Sequence, residues 1–278
     1  MQTLLYTSLA LAPIFTIILF IYFKDKYKKE PFRLLFYCFI GGIISIIPPI
    51  IIENAVGFIG LDKSDNWIIT AIYAIGVVGF IEELSKFFVI RIIVYKNAEF
   101  NEPFDGIVYA VLVSMGFAAV ENVFYVFNSP TPEITALIRA FTAIPAHAVF
   151  AILMGFYIGM ARFTFKRRRL RYLLQGIIVA ALFHGLYDFF LFQRESIYLS
   201  LMALVVLSLA VFLSLRAIKI RQRMSPFKKQ LSKHKKLSDT LTKEEMAMKK
   251  LRIFKNIAKL KLEKRKAKRG NKPSQEES

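Results

Sequence analysis

The feature that most constrains this chain is a series of seven long apolar segments within its first 216 residues. Each has about the 20 residues that an α-helix needs to cross a hydrocarbon core of roughly 30 Å. One such segment could be a buried helix of a soluble protein, but seven in series are typical of a polytopic membrane protein. The sequence therefore predicts an all-α membrane helical bundle, with spans at about 4–23, 34–52, 67–94, 106–127, 134–161, 172–192 and 197–215.

The distribution of positive charge predicts the orientation of the bundle. The formal net charge is +19, and 22 of the 39 Lys and Arg residues lie in 216–278. Most of the others lie in short connectors, above all Lys24–Lys29 and Arg162–Arg171. With seven spans, these connectors and the carboxyl-terminal tail fall on one side, which the positive-inside rule makes the cytoplasm. We therefore expect a multi-pass cell-membrane protein with its amino terminus outside, and no nucleic-acid partner.

The composition changes at about residue 216. Residues 1–216 form the predicted transmembrane domain, and residues 217–278 form a basic cytoplasmic tail. Within the tail, the segment Met246–Leu262 has apolar residues near one helical face, namely Leu251, Phe254, Ile257, Ala258 and Leu262. Such an amphipathic helix would lie on anionic lipids, and a disordered basic arm is the alternative. The only cysteine, Cys38, is expected to be an inert packing residue.

Two predicted spans contain helix-breaking prolines. Pro48 and Pro49 lie in the second span, and Pro145 lies in the fifth. A proline removes a backbone donor and disturbs the carbonyl four residues earlier, so a kink or an unwound turn is expected at each place. Such a break serves either helix packing or a water-filled cavity.

Ionisable side chains inside the spans are the main functional signal, because charge is costly there. In the third span, Lys86 follows Glu83 by three residues and Glu82 by four, so on a helix it lies over both carboxylates. A lysine there can keep one carboxyl ionised, and two carboxyls in different protonation states suit general acid–base chemistry on a water molecule. For this motif by itself, a structural ion pair is the alternative.

Three further spans carry polar groups. His184 and Asp188 in the sixth are four residues apart, so the carboxylate can orient the imidazole. The others are Asp105, Glu121, Asn122 and Tyr125 in the fourth span, and Arg139 and His147 in the fifth. With a rise of about 1.5 Å per residue, the histidines fall at the same middle depth as Glu82 and Glu83, and Glu121 falls somewhat nearer the outer face. The set as a whole therefore indicates a functional site.

The order of these motifs resembles that of the PrsW-type intramembrane proteases, which are distantly similar to the CAAX-processing and bacteriocin-processing membrane proteases. The resemblance covers about residues 30–190. Its motifs are EExxK at Glu82–Lys86, PFDGIVYA at Pro103–Ala110, GFAAVENVFY at Gly116–Tyr125, Arg139 with His147, and HGLYD at His184–Asp188. Each motif is weak alone, but five in this order on successive helices are specific.

The resemblance implies an intramembrane endopeptidase. It implies Glu82 and Glu83 as the central catalytic pair, and a required histidine in a later helix, either His147 or His184. Known members of the family cut membrane-anchored anti-sigma factors, which implies a single-span membrane protein as the substrate here. The basic tail lies outside the family pattern.

The expected mechanism is attack by a water molecule held between a histidine and either Glu82 or Glu83, with the oxyanion stabilised by a histidine, Asn122 or Lys86. Glu121 is a further catalytic candidate. The supporting candidates are Lys86, Asn122, Tyr125, Arg139, Asp188 and Asp105. No cofactor is expected, although His147, His184 and one of Glu82, Glu83 and Glu121 would also suit a zinc ion. The sequence has no HExxH zinc motif.

Other functions would use some of the same residues. A transporter or proton relay also needs buried acids, histidines and broken helices, but the acidic motif of the third span has no inverted counterpart in the later helices. A non-catalytic scaffold would have lost motif residues, and all are present. Aspartyl chemistry lacks a GxGD partner for Asp188, and serine chemistry would depend on Ser114, so both are disfavoured.

Overall fold

The computed structural model describes residues 2–61, 66–193, 197–228, 245, 248–256, 259 and 262. These residues form helices and connecting turns, with no strand among them. Seven helical stretches of the described chain are long and apolar enough to cross a membrane: Gln2–Lys24, Phe32–Phe58, Trp67–Ile93, Asp105–Phe127, Pro132–Arg162, Lys166–Phe192 and Ile197–Arg223. The predicted all-α bundle of seven spans is therefore confirmed.

Three of the seven spans are interrupted, so the bundle contains more helices than spans. The α-helices are α1 (Gln2–Lys24), α2 (Phe32–Ile44), α3 (Ile47–Phe58), α4 (Trp67–Ala71), α5 (Phe80–Ile93), α6 (Asp105–Phe127), α7 (Pro132–Phe141), α8 (Ala143–Arg162), α9 (Lys166–Phe192) and α10 (Ile197–Arg223). Helix α10 thus continues past residue 216, the predicted end of the transmembrane domain, to Arg223.

The second and fifth spans break where prolines predict a disturbance. Helix α2 ends before Ser45, and α3 starts with Pro48 in its first turn, where a missing backbone N–H costs nothing. In the fifth span the break falls at Thr142, whose backbone (φ −123°, ψ −81°) is not helical. Pro145 follows in the first turn of α8. The breaks therefore precede the prolines by a few residues, as the loss of the backbone donor requires.

The third span contains a π-helix that the sequence did not predict. It spans Ile72–Gly79 and lies between α4 and α5. The wider turns of a π-helix are uncommon and occur often at functional sites. Here the π-helix ends three residues before Glu82, so it sets the direction from which the acidic turn of α5 enters the bundle.

Helix α6 lies at the centre of the bundle, where it packs against α1, α2, α5, α7 and α8. Glycines allow the closest approaches. A Cβ on Gly116 would lie 2.0 Å from the carbonyl oxygen of Phe39 on α2, and a Cβ on Gly155 of α8 would lie 2.3 Å from that of Gly106. Small residues at such crossings let backbones meet closely, which is the usual source of helix association in a membrane.

The contacts divide the chain into two compact units, Met1–Pro226 and Phe227–Ser278. In the second unit, residues 248–256 are helical, with Leu251 and Phe254 exposed. This agrees with a helix inside the predicted amphipathic segment, although Ile257 and Ala258 lie outside the described residues. The lipid contact expected of that helix stays a prediction.

Candidate active site

The acidic turn of α5 is organised around one lysine. The Lys86 ammonium donates to Glu83 Oε1 at 2.8 Å and to Glu82 Oε2 at 3.1 Å. All three side chains are buried, with exposed fractions of 1% for Lys86, 0% for Glu83 and 7% for Glu82. One helical turn therefore supplies both carboxylates and their counterion, as the spacing of the three residues predicts.

Helix α9 brings a histidine to the same carboxylates. His184 Nδ1 lies 2.9 Å from Glu83 Oε1, and Nε2 lies 3.8 Å from Glu82 Oε2. Asp188, one turn further along α9, places Oδ2 3.3 Å from the same Nε2. Asp188 is thus positioned to orient the imidazole, and the predicted histidine–carboxylate pair on one helical face is present.

Helix α8 supplies the second histidine. His147 Nδ1 lies 3.4 Å from the Lys86 ammonium, and its Nε2 lies 2.6 Å from Glu121 Oε2 on α6. The two imidazoles are neighbours, with ring centroids 5.2 Å apart. The structure therefore places both histidines in one site and does not separate an essential one from a remote one.

Arg139 and Asn122 tie the outer part of this site together. Arg139 NH2 lies 3.1 Å from Glu121 Oε2, and its Nε donates to Asn122 Oδ1 at 2.6 Å. The Asn122 amide in turn donates to the carbonyl of Ala10 on α1 at 2.8 Å. The Arg139 guanidinium lies 4.0 Å from the ring centroid of Tyr125, which is half exposed. These residues fix Glu121 rather than contact Glu82 or Glu83 directly.

Aromatic side chains pack against the polar cluster. Phe150 stacks on His184 with centroids 5.2 Å apart and planes at 26°. Phe117 lies 4.0 Å from the Lys86 ammonium, in cation–π geometry. The result is a continuous polar chain from Asp188 through His184, Glu83, Lys86, His147 and Glu121 to Arg139, held in apolar surroundings where electrostatic interactions are strong.

Four of these residues also form a possible metal site. Glu82, Glu83, His147 and His184 each present one ligand atom, and these atoms lie within 4.8 Å of one another. Two imidazole nitrogens with carboxylate oxygens are a donor set that zinc accepts. The donors therefore fit a divalent ion, although the Lys86 ammonium already pairs with both carboxylates and offsets one of their two charges.

Asp105 does not join this constellation. Its Oδ2 accepts hydrogen bonds from the backbone N–H groups of Asn101 and Glu102, each at 2.8 Å. Asp105 starts α6, and Glu121 lies sixteen residues later on the same helix, a separation of about 24 Å at the usual helical rise. Asp105 therefore fixes the turn that precedes α6. Ser114 likewise donates to the carbonyl of His147 at 2.9 Å, which gives it a structural bond.

The sequence reasoning missed Glu53, which it placed in a connector. Glu53 lies on α3, and it interacts electrostatically with Glu82, Glu121, His184 and Asp188. Its Oε1 atom is buried and has no hydrogen-bond partner in the part of the chain that the structure describes. An acidic residue shortly after a proline break in a span is a signal that could have been used, because such breaks line polar cavities.

Comparison with known proteins gives a consistent result. A family model described as PrsW family intramembrane metalloprotease matches residues 30–215. A Protease PrsW of Geobacillus kaustophilus is 35% identical over 188 residues, which are 68% of this chain and 80% of the relative. The Protease PrsW of Bacillus subtilis is 34% identical over 188 residues (66% and 81%), and that of Clostridioides difficile is 32% identical over 205 residues (72% and 85%). No solved structure matches the chain.

Proposed function

Since the chain belongs to the PrsW family of intramembrane proteases, we propose that it cuts a single-span membrane protein with a water molecule activated by Glu82 or Glu83. The observation that carries this proposal is the buried cluster in which both carboxylates share the Lys86 ammonium and meet His184. General acid–base hydrolysis needs a positioned base and a proton donor, and this cluster supplies carboxylates and a histidine for these roles.

The carboxylates have different surroundings, which supports a division of roles. Glu83 is fully buried and contacts Lys86 and His184 through Oε1, and its Oε2 has no hydrogen-bond partner among the described residues. The contacts on Oε1 fix the carboxylate in position, so the free Oε2 is suited to accept a proton from water. Glu82 accepts a hydrogen bond from the same ammonium and is the alternative base.

The other polar residues are suited to bind the oxyanion and to deliver a proton. The Lys86 ammonium is a fixed donor within the cluster, where it can stabilise developing negative charge. His147 accepts from this ammonium through Nδ1 and faces Glu121 through Nε2, and His184 faces Glu83 through Nδ1. Asp188 contacts His184 Nε2 and Glu121 contacts His147 Nε2, so each carboxylate positions one imidazole. A protonated histidine can then deliver the proton that the leaving amine needs.

A zinc-dependent version of this protease is the second candidate. It is favoured by the family description and by the four convergent donors Glu82, Glu83, His147 and His184. A zinc ion held there would act as a Lewis acid on the water and the scissile carbonyl. Metal analysis of the purified protein, together with activity before and after chelation and zinc replacement, separates the versions. Activity that is unchanged in fully metal-free protein would exclude the zinc version.

The proposed substrate class follows from the family resemblance. A membrane-anchored anti-sigma factor is one such single-span protein. We also propose that the amino terminus lies outside, and that the tail lies in the cytoplasm against anionic lipids, because the basic connectors and the tail fall on one side of a seven-span chain.

The decisive experiment is quantitative membrane proteomics on cells that carry the wild type, Glu83→Gln or Glu99→Gln at equal expression. Glu99 is an exposed carboxylate paired with Lys28 away from the cluster, so its change is the matched control. We expect a single-span protein to accumulate with Glu83→Gln only. Purified Glu83→Gln should cleave that protein at least about 100-fold more slowly, because removing a general base costs a factor of this order.

Three results would contradict the proposal. One is equal substrate levels in all three strains with an altered ion or solute gradient in Glu83→Gln, which would favour the transporter. Another is accumulation with Glu99→Gln as well, which would show an indirect effect. The third is loss of the Glu83→Gln protein from the membrane, since the acid would then be structural.

A further inference from the structure

A cavity of about 560 Å³ lies between α8, α9 and α10, away from the acidic cluster. Its lining combines two kinds of side chain, three basic ones on α10 and an apolar wall from all three helices. The lining residues are Leu153, Phe156, Tyr157, Val179, Leu213, Arg216, Ala217, Lys219, Ile220 and Arg223. None of them belongs to the proposed catalytic machinery.

The basic residues of the cavity share one edge of α10. Arg216, Lys219 and Arg223 are spaced by three and four residues, so they follow one another along the helix surface. All three are exposed, and no acidic side chain of the described chain forms a salt bridge with them. The cavity rim therefore carries three positive charges without a counterion among the described residues.

A fourth positive charge lies beside the cavity and is buried. The Arg221 side chain is 2% exposed, and its guanidinium lies 3.9 Å from the ring centroid of Phe156, which lines the cavity. Among the described residues, its Nε has no hydrogen-bond partner, and its Nη1 has the sulfur of Met224, at 3.3 Å, as its partner. A buried guanidinium without a carboxylate is costly, so an anion near this end of α10 would be strongly favoured.

The depth of the cavity in the bundle and its apolar lining indicate which kind of anion it binds. Gln222 Nε2 donates to the carbonyl of Lys24, so the basic end of α10 is level with the end of α1, where the predicted span meets water. Deeper in the bundle than the basic residues, the wall formed by Leu153, Val179 and Leu213 is apolar. Inorganic phosphate would use only the charges, whereas a phospholipid would use both the charges and the wall.

We propose that this cavity binds an anionic phospholipid, with the headgroup phosphate among Arg216, Lys219 and Arg223 and an acyl chain along the apolar wall. All the residues of the site belong to the unit Met1–Pro226. The site does not depend on the proposed proteolytic mechanism, because its residues are distinct from Glu82, Glu83 and the histidines.

The test measures lipid binding to the purified full-length protein by native mass spectrometry and by the shift of the thermal unfolding midpoint. The probes are phosphatidylglycerol, phosphatidylcholine and inorganic phosphate. We expect phosphatidylglycerol to bind and stabilise the wild type, and the other two to have little effect. The triple change Arg216→Gln, Lys219→Gln and Arg223→Gln should weaken phosphatidylglycerol binding at least about tenfold, since each basic residue contributes appreciably to attraction of anionic lipid.

The matched control removes three equal charges from the same end of the bundle, by Lys166→Gln, Arg167→Gln and Arg168→Gln at the start of α9. These residues are exposed and do not line the cavity, so binding should change less than about threefold. A second variant, Ile220→Trp, narrows the cavity without changing its charge, and it should also weaken binding. Equal weakening by the two triple variants, unchanged binding in Ile220→Trp, or equal stabilisation by phosphatidylcholine or phosphate would each overturn the proposal.

Discussion

Lys86 lies inside a predicted membrane span with its ammonium group enclosed by two carboxylates and an imidazole. In apolar surroundings each of these groups would be unfavourable alone. Together they form a hydrogen-bonded set in which the single positive charge offsets part of the negative charge of the two carboxylates. The residue that appears merely to accompany the glutamates in the EExxK motif is therefore the one that makes their burial possible.

Replacing this lysine should be destabilising out of proportion to its size. We expect Lys86→Met to lower the free energy of unfolding by about 3–5 kcal/mol, because it leaves two buried carboxylates without a counterion, and to abolish cleavage. Thermal unfolding in detergent measures the stability. The control, Lys28→Met, removes an exposed lysine paired with Glu99 and should cost less than about 1 kcal/mol.

A compensating variant separates charge from packing. Adding Glu82→Gln and Glu83→Gln to Lys86→Met removes the uncompensated charges, so most of the lost stability should return while activity stays absent. If the triple variant unfolds no later than Lys86→Met, the loss comes from packing around the lysine stem and not from the carboxylates.

At the scale of the element, the π-helix and α9 determine how α5 meets His184. A Cβ on Gly79 would lie 2.6 Å from the backbone nitrogen of Gly185, and a Cβ on Gly185 would lie 2.4 Å from the Cα of Ile75. The two backbones thus touch one turn before Glu82 and Glu83. This close crossing sets the distance between the carboxylates of α5 and the imidazole of α9.

Widening that crossing should damage both stability and catalysis. Gly79→Ala is expected to cost about 1–3 kcal/mol, the usual cost of overpacking, and to reduce cleavage strongly because His184 moves away from Glu83. Gly76→Ala in the same π-helix is the control, since a Cβ there meets nothing within 4 Å. That change should be neutral or stabilising by up to about 1 kcal/mol. Equal behaviour of the two alanine variants in cleavage assays would refute this role for the crossing.

At the scale of the whole molecule, three segments distant in sequence meet at the basic end of the bundle through buried carboxyl groups. Asp25 and Glu30 follow α1, Glu102 precedes α6, and Ser225 follows α10. Tyr109 donates to Glu30, and Ser225 donates to Glu102. Burial, and then the neighbouring Glu102, raise the pKa of Asp25 to about 7. Burial, and then Asp105, raise the pKa of Glu30 to about 9.

These shifts predict that the protein loses stability as the pH rises. Because both folded-state pKa values lie above the ordinary carboxyl values of 3.8 and 4.5, the folded state binds protons more tightly than the unfolded state does. The stabilisation is full below about pH 4 and is lost as the pH rises through about 7 and then about 9. The unfolding midpoint in detergent, measured from pH 5 to pH 9.5, should therefore fall, and it should fall less in Asp25→Asn with Glu30→Gln. If the unfolding midpoint falls with pH as steeply in that variant as in the wild type, other groups cause the effect. The control, Glu99→Gln, should show the wild-type dependence on pH.

The orientation of the whole bundle is a prediction from charge alone. A reporter fused after Arg169, in the basic connector, should give a cytoplasmic signal, and the same reporter after Ser129, in the opposite connector, should give an external one. Reversed signals at both points would invert the topology, and equal signals would contradict the number of spans between them.

Much of the site follows from sequence spacing, because contacts within one helix are set by its period. Glu82, Glu83 and Lys86 had to meet on α5, and His184 and Asp188 had to meet on α9. The proline breaks and the depth of the two histidines followed from equally local rules. Asp105 shows the limit of this reasoning, since its place in a motif gave no sign that it fixes the turn before α6, far from the other motif residues.

The sequence by itself thus determined the seven spans and the pairs within each helix, because hydropathy and helical spacing are local properties. Only the tertiary structure decided that Lys86 reaches His147, that Glu53 joins the acidic group, and that a π-helix brings Gly79 onto Gly185. Contacts between helices depend on how each one is rotated and how closely the backbones approach. Those quantities result from the packing of the whole bundle at once, so no single segment encodes them.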